Sequence, residues 1–112
     1  MIRKITRRVV YTLIINTRYL IYKILSTNHV YGKARSKYPI LFKGKGKITI
    51  ADYTQFGVHS SPFYLNTYGY IEARTEDSSV SIGSNVWLNN NFSLIAGKAK
   101  IIIRDKVLAG CN

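Results

Sequence analysis

The chain has 112 residues, 46% of them hydrophobic, and carries 17 Lys/Arg against five Asp/Glu for a formal charge of +12. That length holds one domain at most, and the single cysteine, Cys111, excludes an internal disulfide framework. Residues 1–47 hold 12 of the 17 basic side chains and no acid, whereas residues 48–112 hold five of each sign. The neutral second half, which lacks clustered basic and aromatic strands, argues against a nucleic-acid binder and for a basic segment attached to a neutral body.

Residues 2–25 predict a helix. Ile2, Ile5, Val9, Val10, Leu13, Ile14, Leu20, Ile21, Ile24 and Leu25 recur at three- and four-residue spacing, interrupted by Arg3, Lys4, Arg7, Arg8, Arg18 and Lys23. Many of these residues are β-branched, so intrinsic helix propensity is only fair and burial or a surface must support the element. The longest stretch without a charge runs from Val9 to Thr17, far short of the roughly 20 apolar residues a bilayer span needs. A signal peptide fits poorly, because no small-x-small cleavage site follows. Two readings of the helix stay open: an amphipathic helix packed on its own oligomer, or an interfacial helix whose cations meet anionic head groups.

Residues 26–47 read as a basic connector, with Ile40-Leu41-Phe42 as a short strand inside it. Lys43-Gly44-Lys45-Gly46-Lys47 invites comparison with a phosphate loop, but the Gly-Lys-Ser/Thr ending is absent. A turn entering the next strand is the simpler reading.

From Ile48 onward, short β segments alternate with turn residues, and residues 48–112 form the second segment. Ile50 to Phe56, and Ile82 to Leu88 to Leu94, are steps of six. Ile82 and Ile103 stand 21 apart, three faces of six plus a three-residue excursion at Gly97-Lys98-Ala99. A six-residue apolar period fits neither a helix nor an ordinary strand. It fits a solenoid whose short strands point one side chain inward and then turn a corner. Ile50 and Ile82 stand 32 apart, which predicts one projecting loop of about 14 residues if a turn of the solenoid takes about 18. Cys111 has no accompanying His or Asp pattern and reads as a small packed residue.

Val80-Ser81-Ile82-Gly83-Ser84-Asn85-Val86-Trp87-Leu88-Asn89-Asn90-Asn91-Phe92-Ser93-Leu94-Ile95, and then Lys100 to Asn112, resemble the hexapeptide-repeat acyltransferases. The nearest branch is the sugar and polysaccharide O-acetyltransferases. The resemblance covers residues 48–112 and leaves the N-terminal arm aside. It implies a mainly β chain in which a left-handed parallel β-helix solenoid follows the N-terminal amphipathic helix. It also implies homotrimers with sites between subunits, acetyl-CoA as donor, and a sugar or polysaccharide hydroxyl as acceptor. A cytoplasmic location, at the inner face of the membrane where residues 1–25 touch it, goes with that reading.

In that family a histidine removes the acceptor proton and an N–H donor stabilises the oxyanion. By the family's spacing the histidine falls about ten residues beyond Asn112, so the chain reads as truncated at its C-terminus and its catalytic residue as unknown. His59 and His29 are the only histidines present, and neither matches the family's position. Asn89 matches the family's acceptor-binding asparagine after the Trp87-Leu88 pair, with Asn91 as a second contact. An amide offers a sugar both donors and an acceptor, although three consecutive asparagines also suit a turn. Trp87 is expected to pack outward or at an interface. No metal ligands are expected. The alternative function is a non-catalytic β-helix scaffold or partner-binding subunit.

Overall fold

The structure, a computed structural model, describes residues 2–110. Cys111, read above as a packed residue, lies outside the described residues. One helix, α1 (Ile2–Leu25), precedes ten strands: β1 (Val30–Tyr31), β2 (Ile40–Gly44), β3 (Lys47–Ile50), β4 (Gln55–Phe56), β5 (Gly69–Ala73), β6 (Ser79–Ile82), β7 (Trp87–Leu88), β8 (Ser93–Ala96), β9 (Lys100–Ile103) and β10 (Leu108–Ala109).

The strands form three sheets, ordered β1-β3-β6-β9, β2-β5-β8 and β4-β7-β10, and every pairing is parallel. Each pass of the chain gives one strand to each sheet in turn: β2, β3, β4, then β5, β6, β7, then β8, β9, β10. The stretch read as a connector therefore joins the sheets. Val30 pairs with Ile48, 18 residues later, and Ile40 pairs with Gly69.

Strict alternation explains the core. In β3, Ile48 and Ile50 are buried on either side of Thr49, and in β6 Val80 and Ile82 flank exposed Ser81. Registration stacks like on like: Ile48 on Val80 on Ile101, and Ile50 on Ile82 on Ile103. Phe56 pairs with Leu88, and Phe42 with Ile71 and then Leu94. β-branched residues suit this pleated, crowded interior. Each fully buried Ile, Leu or Phe contributes about 1.5–3 kcal/mol.

The corners set the period. Tyr53, Asn85 and Lys106 all have positive φ (63, 57 and 63°) at the turn between the β3-β6-β9 sheet and the β4-β7-β10 sheet. The Asn85 N–H donates to the Asp52 carbonyl at 3.3 Å and the Lys106 N–H to the Ser84 carbonyl at 3.0 Å, so these turns bond to one another as the strands do. Asn adopts left-handed backbone more easily than most residues, whereas Tyr53 and Lys106 hold it at some cost.

The surplus between Ile50 and Ile82 is not one loop. Phe56 to Ile71 takes 15 residues where Leu88 to Leu94 takes six, and Ile71 to Ile82 takes 11. The larger share projects over residues 57–68, and the smaller forms the turn at 74–78, closed by Ser78 Oγ, which donates to the Thr75 carbonyl at 2.7 Å. Sequence spacing fixes only the sum of two insertions, because the anchor between them, Ile71, sits off the six-residue count.

Helix α1 buries no residue. Its C-terminal half is tied to the body. Ser26 Oγ donates to the Tyr22 carbonyl at 2.7 Å and accepts from the Phe42 N–H at 3.0 Å, which caps the helix against β2. Tyr22 stacks on Tyr68 with ring centroids 4.7 Å apart. Lys37 Nζ donates to Asn16 Oδ1 at 2.8 Å. No helix among the described residues is long and apolar enough to cross a membrane.

Candidate functional site

β4 and β7 end side by side, with Phe56 paired to Leu88. Beyond them the first pass departs into the 57–68 excursion and the second turns through Asn89, Asn90 and Asn91. Gly57 begins the excursion at φ +79, and a Cβ there would lie 2.5 Å from Tyr38 Cγ, so glycine is required for both conformation and space.

Asn90 holds the excursion down. Its side chain is buried, at 1% exposure. Its Oδ1 accepts from the Val58 N–H at 2.8 Å, and its Nδ2 donates to the carbonyls of Val58 at 3.1 Å and Pro62 at 2.9 Å. At the far end, the Arg18 guanidinium donates to the Tyr64 carbonyl at 3.2 Å and to the Thr67 carbonyl. Tyr38 Oη lies 2.9 Å from Thr67 Oγ1 and accepts from the Asn91 N–H at 2.8 Å. The loop is thus anchored to the second pass, to the core tyrosine and to the helix.

The two asparagines singled out from sequence stand beside this anchor. Asn89 is half-buried, its N–H donates to the Ala109 carbonyl at 3.2 Å, and its Oδ1 accepts from the Asn90 N–H at 2.7 Å. Asn91 is exposed at φ +61. His59 is exposed on the excursion, next to the Val58 that Asn90 binds, with its ring edge-on to Tyr64 at 6.4 Å. Burial, with Tyr11 adding to it, holds the Tyr64 phenol above its ordinary pKa, so this neighbour stays protonated. The Asn90–Val58 bonds therefore tie the start of the excursion, where His59 lies, to the turn that holds Asn89 and Asn91, although 30 residues separate His59 from Asn89.

The other candidates lie elsewhere. His29 packs edge-on against Tyr31 at 4.9 Å and lines a cavity of about 410 Å³ beneath the end of the helix, with Lys23, Lys33, Phe42 and Phe56. Trp87 faces outward, 41% exposed, between Gln55 and Leu108 on its sheet. In the Lys43–Lys47 turn, the Gly46 N–H donates to the Ala73 carbonyl at 2.9 Å and the Lys47 N–H to the Ser78 carbonyl at 3.2 Å. Those donors serve the next strand and do not form a phosphate cradle.

Sequence reasoning missed Asn90, Tyr38 and Arg18. For Asn90 a signal existed. Val86, Leu88 and Asn90 are buried in alternation, so extending the two-residue period of β7 by one step turns the middle asparagine inward and its neighbours outward. Arg18 and Tyr38 had no such signal, since their partners are backbone carbonyls, a threonine and an amide of a distant loop.

The exposed His59 imidazole and the Asn89 and Asn91 carboxamides, on two segments joined by Asn90, offer hydrogen-bond donors and acceptors and a side chain suited to proton transfer. Comparison of the chain with protein-family models, curated proteins and solved structures finds no match.

Proposed function

We propose that the three parallel sheets are the faces of a left-handed parallel β-helix, and that the chain is all or part of an O-acetyltransferase. On this reading it moves acetyl from acetyl-CoA to a sugar hydroxyl of a polysaccharide or oligosaccharide. The observation that carries the reading is the step of six from Ile82 through Leu88 to Leu94, one residue on each of the three sheets. The resemblance of residues 80–95 to the hexapeptide-repeat O-acetyltransferases supplies the activity.

The corner at Asn89 is the proposed acceptor site. Asn89 and Asn91 hydrogen-bond the sugar. His59 takes the hydroxyl proton as the oxygen attacks the thioester carbonyl carbon, and the coenzyme A thiolate leaves. A homotrimer places the donor between adjacent subunits. The excursion is a suitable carrier for a base, because loops fixed to a rigid scaffold position functional groups.

A second reading, a non-catalytic β-helix subunit, draws on one observation. Asn89 Oδ1 already serves the Asn90 N–H, and Asn91 occupies a left-handed corner, so both asparagines have structural work.

One assay separates the two. The purified chain is given acetyl-CoA and a panel of mono- and oligosaccharides, with thiol release and acetylated product both measured. The enzyme reading predicts turnover that His59→Asn lowers by about 100-fold or more and that Asn89→Ala weakens mainly through KM. A folded chain with no turnover on any acceptor supports the scaffold reading. Turnover indifferent to His59→Asn moves the base elsewhere.

A further inference from the structure

Helix α1 has two faces with different neighbours. Tyr11, Ile15, Arg18, Tyr19 and Tyr22, which fall on one face of the helix, are half-buried and look toward the body. Ile2, Val9, Leu13, Leu20 and Ile24 recur at steps of seven and four, which keeps them on one opposite face. They are 52–82% exposed. By the same helical period Arg3 borders this stripe on one side and Lys23 on the other, while Lys4, Arg7 and Arg8 lie round toward the opposite face. The first acidic residue of the chain is Asp52.

We propose that this face docks on an anionic lipid bilayer. The helix lies in the plane of the interface, its stripe enters the acyl boundary, and the flanking Arg3 and Lys23 reach the phosphate-bearing head groups. Aliphatic residues flanked on both sides by cations, with no acid on the helix, match a surface that is apolar below and negative above. A second copy of the helix matches it poorly. Pairing two stripes brings Arg3 and Lys23 of each helix to the edges of one seam, with no opposing charge on either helix. The attachments of Arg18, Tyr22 and Ser26 fix the orientation, holding the body on the side away from the stripe and therefore on the aqueous side. None of this depends on acetyl transfer, and its failure leaves that reading intact.

The test is co-sedimentation of the full chain with vesicles of phosphatidylcholine alone and of equimolar phosphatidylcholine and phosphatidylglycerol. The expected result is capture by the anionic vesicles, weakening as salt screens the attraction. The double variant Leu13→Glu, Leu20→Glu should lower partitioning at least about tenfold, since two large apolar side chains are lost from the buried face. Arg3→Glu should lower it about fivefold or more, since each cation near an anionic surface contributes about that factor. Both sites lie off the body, so thermal unfolding should match that of the unaltered chain. Three outcomes overturn the proposal: no binding to anionic vesicles, binding unaffected by the Leu13/Leu20 charges, or a lipid-independent oligomer that those charges dissociate.

Discussion

The helix and the sheets spend the same kind of residue in opposite ways. In the sheets, Ile48, Ile71, Val80 and Ile82 are at most 1% exposed, whereas on the helix Ile2 and Ile24 are 82% and 72% exposed. Isoleucine is the same size in both places, so the difference lies in periodicity and neighbours. A two-residue alternation repeated on stacked strands makes a partner for itself at every pass. A single helix with its stripe turned outward has none, and its cations bias the choice of what covers it. Stability is therefore expected from the sheets and attachment from the helix.

The largest effect should come from truncating the core. Phe56 is fully buried against Phe92, with ring centroids 5.2 Å apart. Phe56→Ala should cost about 3–5 kcal/mol in urea unfolding, while Leu13→Ala on the helix should cost less than about 0.5 kcal/mol. Equal costs would mean that the helix stripe is buried in solution. Asn90→Ala should come next, at about 1–3 kcal/mol, because it strips partners from the Val58 N–H and the Pro62 carbonyl. It should also speed proteolysis within residues 57–68. A protease pattern unchanged by the substitution would show that Arg18 and Tyr38 suffice to hold the loop.

The smallest effect concerns the outer face of β5. Hydrogen bonds from Arg74, and then from Tyr70, hold the Glu72 carboxyl below its ordinary pKa. That interaction stabilises the fold above the ordinary carboxylate pKa and is lost as pH falls through the depressed value. The pair is exposed on its Arg74 side, so Glu72→Gln should change stability at neutral pH only slightly. It should also slightly flatten the acid limb of the stability curve, and a steeper limb would contradict the assignment.

Much of this arrangement was legible in the residues. The spacing of Ile2 to Leu25 marks the helix, and the steps of six from Ile82 through Leu94 place one residue on each sheet. The excursion was legible as a surplus of residues but not as two insertions, because Ile71 falls off the count. β1 was not legible, since Val30-Tyr31 is too short to show alternation and is defined only by pairing with Ile48 and Thr49. The segment carrying His59 is tied to the Asn89 turn through a buried amide, Asn90 to Val58, a tertiary contact that local pattern does not encode. The outward direction of the helix stripe also had to come from the structure, since the apolar spacing alone is the same for a helix packed inward.

Amide hydrogen exchange on the full chain, with and without phosphatidylglycerol-containing vesicles, tests the division of labour most directly. The account predicts slow exchange in β3, β5 and β6 under both conditions. It predicts that residues 2–10, which lie beyond the body-facing Tyr11 and the attachments at Asn16, Arg18 and Tyr22, exchange fast in buffer and slowly on the vesicles. Strong protection of residues 2–10 in buffer, or none on anionic vesicles, would contradict it.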